Sequence, residues 1–154
     1  MVLILHNIRS VYNVGSIFRT AEAAGVSKII LSGYTPTPVD RFHLPRKDFA
    51  KVSLGAEKTI PWVQMRTFVQ AVRVLRKDGY YIAAVEQDKH SISIFDFKTS
   101  KKQLLALVLG NEVRGISKAS LKLCNAILEI PMRGKKESLN VSVAAGIAAF
   151  TLCA

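Results

Sequence analysis

The stretch "IPMRGKKESLNVSVAAGIAAF", residues 130–150, contains the features that decide the fold. It begins with the apolar end of a strand, continues through a cationic loop, and brings Ser138 and Asn140 to the start of a helix. That helix consists mostly of Ala, Gly, Val and Ile, and side chains of this size let another element pack closely against it. The stretch therefore predicts that a ligand or another part of the backbone approaches the end of this strand.

Length and composition predict one soluble globular domain over residues 1–154. Of the 154 residues, 49% are hydrophobic, which is enough to form a core and too many for intrinsic disorder. No apolar run reaches the roughly 18 to 20 residues that span a bilayer, and the first residues lack the features of a signal peptide. Cys124 and Cys153 have neither the density of a disulfide framework nor the spacing of metal ligands. We therefore expect a cytoplasmic protein.

The chain carries a large excess of positive charge. Twenty-two Lys and Arg against eleven Asp and Glu give a formal net charge of +11, which attracts polyanions over long distances. An ordinary solvated surface explains any single basic cluster, but their sum favours nucleic acid. The sequence has no basic amphipathic helix with bulky aromatic anchors, which argues against binding to a membrane surface. The clusters are Arg41, Arg46, Lys47 and Lys51; Arg73, Arg76 and Lys77; Lys98, Lys101 and Lys102; and Arg133, Lys135 and Lys136.

Apolar runs of strand length alternate with helical patterns along most of the chain. Residues 34–60 interrupt this alternation with three prolines, and we expect a long excursion there with one short helix. Strands that are apolar on both faces and alternate with helices are typical of a parallel sheet covered on both sides, so the predicted class is α/β. The predicted strands are 2–6, 28–32, 80–85, 104–109 and 126–130, and the predicted helices are 14–24, 65–75, 117–123 and a last one after residue 140.

Ligands of open parallel sheets bind beyond the carboxyl ends of the strands. Three stretches with unusual polar residues follow predicted strands: 7–25, where Asn13 is predicted to cap a helix, 107–117, and 130–142. The second has the glycine spacing of a phosphate-binding loop, but Ile116 stands where the lysine is required, and Glu112 places a carboxylate where the phosphates would lie. Both features argue against a nucleoside triphosphatase. The three histidines, His6, His43 and His90, are scattered and have no Cys or carboxylate at metal-ligand spacing, so no metal is implied.

The three stretches resemble, in order, the three motifs of the SpoU family, the TrmH-like RNA 2′-O-ribose methyltransferases of the SPOUT superfamily. The motifs are "NVGSIFR" (13–19), "LVLGNEVRG" (107–115) and "IPMRGKKESLNVS" (130–142), and together they extend over nearly the whole chain. The resemblance implies a parallel-sheet α/β fold whose C-terminal segment threads a deep trefoil knot. It also implies an S-adenosylmethionine pocket made by the knotted loops, and a homodimer whose sites use residues of both chains.

The resemblance also implies roles for individual residues. In the knot, Gly134 and the small residues of the last helix would let backbone pass backbone, although ordinary helix packing or a dimer face explains the same composition. Ser138 would lie within reach of the cofactor and count as a catalytic candidate as well. The residues that would form the S-adenosylmethionine pocket are Val85, Gly110, Ile130, Met132, Ser138 and Leu139.

The implied reaction transfers a methyl group from a sulfonium to a ribose 2′-oxygen and needs no metal. Arg19 matches the residue that activates the hydroxyl in the family. Because a guanidinium keeps its proton at physiological pH, it is a poor base, so we expect Arg19 to anchor the adjacent phosphate and the developing alkoxide, with a phosphate or water as proton acceptor. Asn13 and Asn140 would orient loops and substrate, and Glu112 would fix Asn140 or a loop of the partner chain.

The resemblance implies RNA as the substrate. A compact basic dimer suits folded RNA, so tRNA is favoured and rRNA is second. The basic excursion at 34–60 is expected to contribute to RNA recognition, and the end of the chain soon after the last helix begins suggests that the native C-terminus extends beyond Ala154. Two alternatives stay open: a noncatalytic RNA-binding module on the same fold, and a base-methylating enzyme of the same superfamily. Arg19, Glu112, Ser138 and Asn140 argue against the first, and the Ser-Leu-Asn signature argues against the second.

Overall fold

A computed structural model describes residues 1–98, 100 and 103–153 of the chain. These residues form a seven-stranded sheet with helices on both faces. The strands are β1 (Val2–His6), β2 (Lys28–Ser32), β3 (Trp62–Met65), β4 (Tyr81–Val85), β5 (Ile92–Ser93), β6 (Leu105–Leu109) and β7 (Ala126–Glu129). The helices are α1 (Val11–Ala23), α2 (Lys47–Ser53), α3 (Ala56–Thr59), α4 (Phe68–Lys77), α5 (Lys118–Leu121) and α6 (Val141–Leu152).

The sheet is parallel throughout, with the strand order β3-β2-β1-β6-β4-β7-β5. Helices α1, α2, α3 and α6 cover one face, and α4 and α5 cover the other. Every residue of β6 is buried because both faces of the central strands are covered. The predicted parallel α/β class is confirmed, whereas the threading of the C-terminal segment through a knot stays a prediction.

Two strands were missing from the sequence prediction. Residue Met65 was placed in a helix with Phe68 and Val72, but it ends β3, and α4 begins only at Phe68. The side chain of Thr67 caps that helix by accepting a hydrogen bond from the backbone N–H of Gln70 at 3.2 Å. Because Met65 and Phe68 are three residues apart, a strand end followed by a helix start imitates helical spacing. Strand β5 has two residues, too few for any periodicity.

The excursion at 34–60 contains two short helices, α2 and α3, where one was expected. They are joined by Leu54 and Gly55, which both have left-handed backbone conformations, with φ of 51° and 93°. Helix α2 packs against α1 so closely that a Cβ at Gly15 would lie 3.2 Å from the carbonyl oxygen of Phe49. Helix packing therefore explains the glycine of the first motif.

Helix α1 begins three residues earlier than predicted, and its cap is a different residue. The side chain of Ser10, and not that of Asn13, caps the helix by accepting a hydrogen bond from the backbone N–H of Asn13 at 3.2 Å. The prediction that Asn13 is the cap was wrong, because a serine in an equivalent role lies one turn upstream. The amide side chain of Asn13 is consequently available for contacts outside the helix.

Candidate active site

A pocket lies beyond the carboxyl ends of the adjacent strands β6, β4 and β7. Strand β4 contributes Val85 and the two residues after it, β6 is followed by the 110–115 loop, and β7 leads into the 130–140 loop, which returns to α6. This is the edge at which parallel α/β sheets bind their ligands. The walls combine apolar side chains with a few polar groups.

The structure brings all six predicted pocket residues to this one pocket. The side chain of Ser138 has no hydrogen bond to any other described residue, and Leu139 is 39% exposed although it is apolar. A bound molecule could therefore reach both side chains. The six lining residues are Val85, Gly110, Ile130, Met132, Ser138 and Leu139.

The need for glycine at position 110 has a physical reason that the sequence did not reveal. A Cβ on Gly110 would clash with the side chain of Ile116 and would lie 2.9 Å from the carbonyl carbon of Gly115. The 110–115 loop therefore folds back onto its own first residue. A larger side chain at position 110 must shift this loop before any ligand is considered.

The carboxylate of Glu112 connects the 110–115 loop to the start of α1. It accepts hydrogen bonds from the backbone N–H groups of Arg9 and Ser10 and from the side-chain amide of Asn13, each at 3.0 Å. Partial burial alone would raise the pKa of Glu112, but these hydrogen bonds outweigh it and hold the pKa below its usual value. Glu112 is therefore ionised at neutral pH and serves as an acceptor.

The side chains of Asn13 and Asn140 extend this network to the third motif. The amide nitrogen of Asn140 donates to the amide oxygen of Asn13 at 3.2 Å. The amide oxygen of Asn140 accepts from the backbone N–H and the hydroxyl of Ser142, at 2.8 and 2.7 Å, so that Asn140 caps α6. The chain Glu112–Asn13–Asn140 thus fixes the starts of two helices and one loop at the rim of the pocket.

Arg19 lies outside this arrangement. It is an exposed residue of α1, it does not line the pocket, and its side chain has no hydrogen bond or ion pair with any other described residue. It lies six positions after Asn13 in the helix, about 9 Å further along the axis. Four of the five predicted catalytic residues are therefore brought together within one chain, and the fifth is not.

Two functional candidates after β4 were missed by sequence reasoning. The carboxylate of Glu86 accepts hydrogen bonds from the backbone N–H groups of Ile116 and Gln87, both at 2.9 Å. The side-chain amide of Gln87 donates to the carbonyl oxygen of Glu137 at 2.6 Å, and so fastens the 130–140 loop. The signal was present, since both polar residues directly follow a buried strand at the ligand-binding edge.

The small residues of the third stretch are needed in the helix and not in the loop. A Cβ on Gly134 would meet no atom within 4 Å, so the prediction of close backbone passage at this residue was wrong. In α6, by contrast, a Cβ on Gly146 would lie 3.2 Å from the Cγ2 atom of Thr20 in α1. The composition of the helix reflects tight packing of α6 on α1.

Most positive charges of the described residues have no acidic partner. Among them, the salt-bridge geometry is met by Arg46 and Asp48 alone, with Nη2 and Oδ2 2.9 Å apart. Lys101 and Lys102 of the third basic cluster lie outside the described residues. The part of the chain that the structure describes contains no cluster of three or more potential metal ligands and no helix that could span a membrane.

A model of the SpoU rRNA Methylase family matches residues 1–150 of the chain. The chain belongs to this family. It is 32% identical to the 23S rRNA (guanosine-2′-O-)-methyltransferase RlmB of Ralstonia nicotianae over 151 residues, which are 97% of this chain and 57% of that protein. The corresponding enzyme of Escherichia coli (strain K12) is also 32% identical, with 97% and 58% covered. The chain thus spans little more than half the length of these relatives.

Solved structures of SpoU proteins have the same fold. The AdoMet-bound rRNA methyltransferase of Sinorhizobium meliloti superposes with a TM-score of 0.87 at 29% identity, covering 97% of this chain and 54% of that one. The SpoU methyltransferase AviRb of Streptomyces viridochromogenes gives a TM-score of 0.80 at 28% identity, with 99% and 58% covered. The fold and the family are therefore established by independent comparisons.

Proposed function

We propose that residues 1–154 form a single methyltransferase domain that transfers a methyl group from S-adenosylmethionine to a ribose 2′-hydroxyl of RNA. The observation that carries this proposal is the meeting of the three motifs at one sheet edge, where the Glu112–Asn13–Asn140 network borders the pocket. The names of the family's RlmB relatives support the reaction type.

The pocket residues fit S-adenosylmethionine. Val85, Ile130, Met132 and Leu139 offer an apolar slot for the adenine ring, and the carboxylate of Glu86 lines the same pocket as a partner for a cationic group. Bound there, the cofactor supplies an electrophilic methyl group on a sulfonium. The AdoMet-bound structure of the Sinorhizobium meliloti enzyme supports the same choice of cofactor.

The residues of the network act by position and charge. Because Glu112 is ionised and already accepts three hydrogen bonds, it holds the loops in place and does not remove the proton of the 2′-hydroxyl. We propose that Arg19 binds the phosphate beside the reacting ribose and stabilises the alkoxide as it forms. Since Arg19 does not line the pocket of its own chain, it would serve the pocket of a second subunit.

A homodimer is the assembly that we propose. Helix α6 is apolar on all sides, a composition typical of a helix that is covered all round. Yet Val143 and Phe150 are 49% and 58% exposed, and Tyr12 on the adjacent α1 is 60% exposed. A second copy on this surface would bury the apolar residues and bring its own Arg19 close to them.

RNA is the proposed substrate class, and the relatives change the order of the candidates. Sequence reasoning favoured tRNA over rRNA on the compactness and charge of the chain. The relatives with the name RlmB act, by that name, on 23S rRNA, and we therefore propose ribosomal RNA first and tRNA second. We also propose a cytoplasmic location, which the bacterial origin of the RlmB relatives supports.

The proposal is tested by incubating the protein with labelled S-adenosylmethionine and, separately, ribosomal RNA and tRNA, followed by digestion to nucleosides. A labelled 2′-O-methylnucleoside is the expected product, and the more strongly labelled RNA identifies the substrate class. Label on a base would replace the proposal with a base-methylating enzyme. RNA binding without any transfer would favour a noncatalytic module.

A further inference from the structure

Two grooves continue from the cofactor pocket along the surface. The inner groove is lined by Arg9, Tyr34, Asn111, Val113 and Arg114, and it shares Asn111 and Val113 with the pocket. The outer groove, lined in part by Arg41, Phe42, His43 and Trp62, shares Tyr34 with the inner one. Pocket, inner groove and outer groove thus form a continuous series of concave surfaces.

Tyr34 stands where the two grooves meet, and both ends of the residue are held. It is 58% exposed, but its backbone N–H donates to the Asn7 side chain at 3.3 Å, and its hydroxyl accepts from the Asn111 side chain at 3.1 Å. The neighbouring Thr35 is buried and bonded to β1 through its hydroxyl. An exposed aromatic ring with so little freedom loses little entropy when a flat partner stacks on it.

The anchor of this ring is itself rigid. Asn111 is only 8% exposed, and its side chain also donates to the carbonyl oxygen of Asn7 at 3.0 Å. Its oxygen accepts from the backbone N–H groups of Val113 and Arg114, at 2.9 and 2.8 Å. The ring of Tyr34 is therefore coupled to the same 110–115 loop that borders the pocket.

The charges beside the ring match a nucleic-acid strand. Arg9 and Arg114 line the inner groove, and neither has an acidic partner among the described residues. In the outer groove the guanidinium of Arg41 lies 4.8 Å from the ring centre of Phe42, which is 66% exposed. Cations that alternate with exposed aromatic rings are the combination by which proteins bind unpaired nucleotides, through phosphate contacts and base stacking.

We propose that Tyr34 is a stacking platform for an unpaired base of the substrate RNA, and that Arg9 and Arg114 bind the phosphates next to it. This inference rests on the proposed function, because it places the platform one groove away from the methyl donor. A stacking platform at Tyr34 selects single-stranded or looped RNA, since bases within a duplex are already stacked and cannot lie on a protein ring. The strand would continue past Phe42 into the outer groove.

The test compares Tyr34→Leu with Tyr34→Phe, measured by fluorescence anisotropy with a fluorescein-labelled single-stranded RNA of mixed sequence. Loss of one stacked base weakens binding by about 5- to 100-fold, so Tyr34→Leu should lose that much affinity while Tyr34→Phe stays close to wild type. Phe95→Leu is the matched control. Phe95 has a similar exposure, 59%, but it follows β5, the strand at the opposite edge of the sheet from β3 and β2. Unlabelled duplex RNA should compete poorly.

Equal affinity of Tyr34→Leu and wild type would overturn the inference. Equal loss in Tyr34→Leu and Tyr34→Phe would also overturn it, because the hydroxyl bond to Asn111 would then be the only role of the residue. A measurement on the wild-type protein requires no variant: photocrosslinking to RNA that contains 4-thiouridine should label the peptide with Tyr34, and labelling confined to other peptides counts against the platform.

The same samples distinguish this inference from the proposed function. Methyl transfer by the wild type together with unchanged binding by Tyr34→Leu overturns the platform alone. If no methyl group is transferred to any RNA but Tyr34→Leu binds RNA more weakly than wild type and Tyr34→Phe, the proposed methyltransferase activity is overturned and the platform stays in place.

Discussion

The rim of the pocket and the outer surface of α1 and α6 are organised in opposite ways. At the rim, Glu112, Asn13 and Asn140 hold one another through hydrogen bonds of 3.0 to 3.2 Å. On the outer surface, Arg19 has no partner among the described residues, and Phe150 is 58% exposed. Under the proposed function, a single chain orders the cofactor side of the reaction, and the Arg19 of a second subunit would complete the substrate side.

Arg19→Ala tests this contrast most severely. If Arg19 stabilises the alkoxide, its loss should slow single-turnover methylation by about 10²- to 10³-fold while the affinity for S-adenosylmethionine hardly changes. Arg19→Lys should also be slow, because lysine keeps the charge but loses the two-pronged contact. Parallel loss of cofactor binding and activity would instead make Arg19 a structural residue.

Mixed dimers show whether Arg19 acts in the other subunit. Arg19→Ala and Leu139→Asp should each be inactive alone, since one removes the arginine and the other alters the pocket. Random exchange of subunits should restore about a quarter of the wild-type activity, because a heterodimer then contains one intact site. No recovery would place Arg19 and the pocket of the same chain in one site.

Phe150→Glu should disrupt the proposed dimer and leave the pocket of each chain intact. A charge in the apolar surface of α6 replaces a side chain whose burial is worth about 1.5 to 3 kcal/mol in each subunit, so the dimer should dissociate about 10²- to 10⁴-fold more readily. Light scattering should detect a monomer that still binds S-adenosylmethionine. Val69→Glu is the control, at a residue that is 50% exposed on α4 across the sheet.

Glu112→Gln perturbs the ordered rim and should reduce the free energy of unfolding by about 1 kcal/mol at neutral pH. The pKa of Glu112 is lowered in the folded protein, so its stabilising effect is present above the unfolded pKa and lost as the pH falls through the folded pKa. The free energies of unfolding of wild type and variant, measured by urea denaturation, should converge at acidic pH. Glu22→Gln, at an exposed residue of α1 whose side chain makes no hydrogen bond with any other described residue, should match wild type at every pH.

Gln87→Ala should have the smallest effect. Loss of its hydrogen bond to the carbonyl oxygen of Glu137 loosens the 130–140 loop, so the dissociation constant for S-adenosylmethionine should rise about two- to fivefold without a change in melting temperature. Calorimetry measures the dissociation constant, and thermal denaturation measures the melting temperature. Gln70→Ala, on the exposed side of α4, should leave both unchanged.

Sequence reasoning succeeded where one physical rule determines the outcome. The alternation of apolar runs and helices predicted the parallel sheet, and the rule that ligands bind at the carboxyl edge led to the stretches 107–117 and 130–142. The family resemblance then singled out Gly110 and Ile130 within them, and both line the pocket. The same rule also applied to Glu86 and Gln87, but neither forms part of a recognisable motif. Their partners, Ile116 and the carbonyl of Glu137, are distant in sequence and appear only in the folded chain.

Other features could not be predicted because several local solutions fit the same residues. Ser10 and Asn13 are both good helix caps, and only the fold shows that Asn13 has Glu112 and Asn140 as partners instead. Gly134 lies in the cationic loop, and a Cβ there would meet no atom within 4 Å, so the sequence alone did not show that glycine is not needed for close packing at this position. The position of Arg19 away from the pocket depends on the packing of α1, which its motif spacing does not encode.

The scarcity of ion pairs has a consequence for handling the protein. With a net charge of +11 and one salt bridge among the described residues, the folded chain repels itself, and dissolved ions weaken that repulsion. Raising the ionic strength should therefore increase the melting temperature while it releases bound RNA, since counterions compete for the phosphates. Conditions that best preserve the purified protein are then those in which it holds its substrate least, so storage and assay call for different buffers.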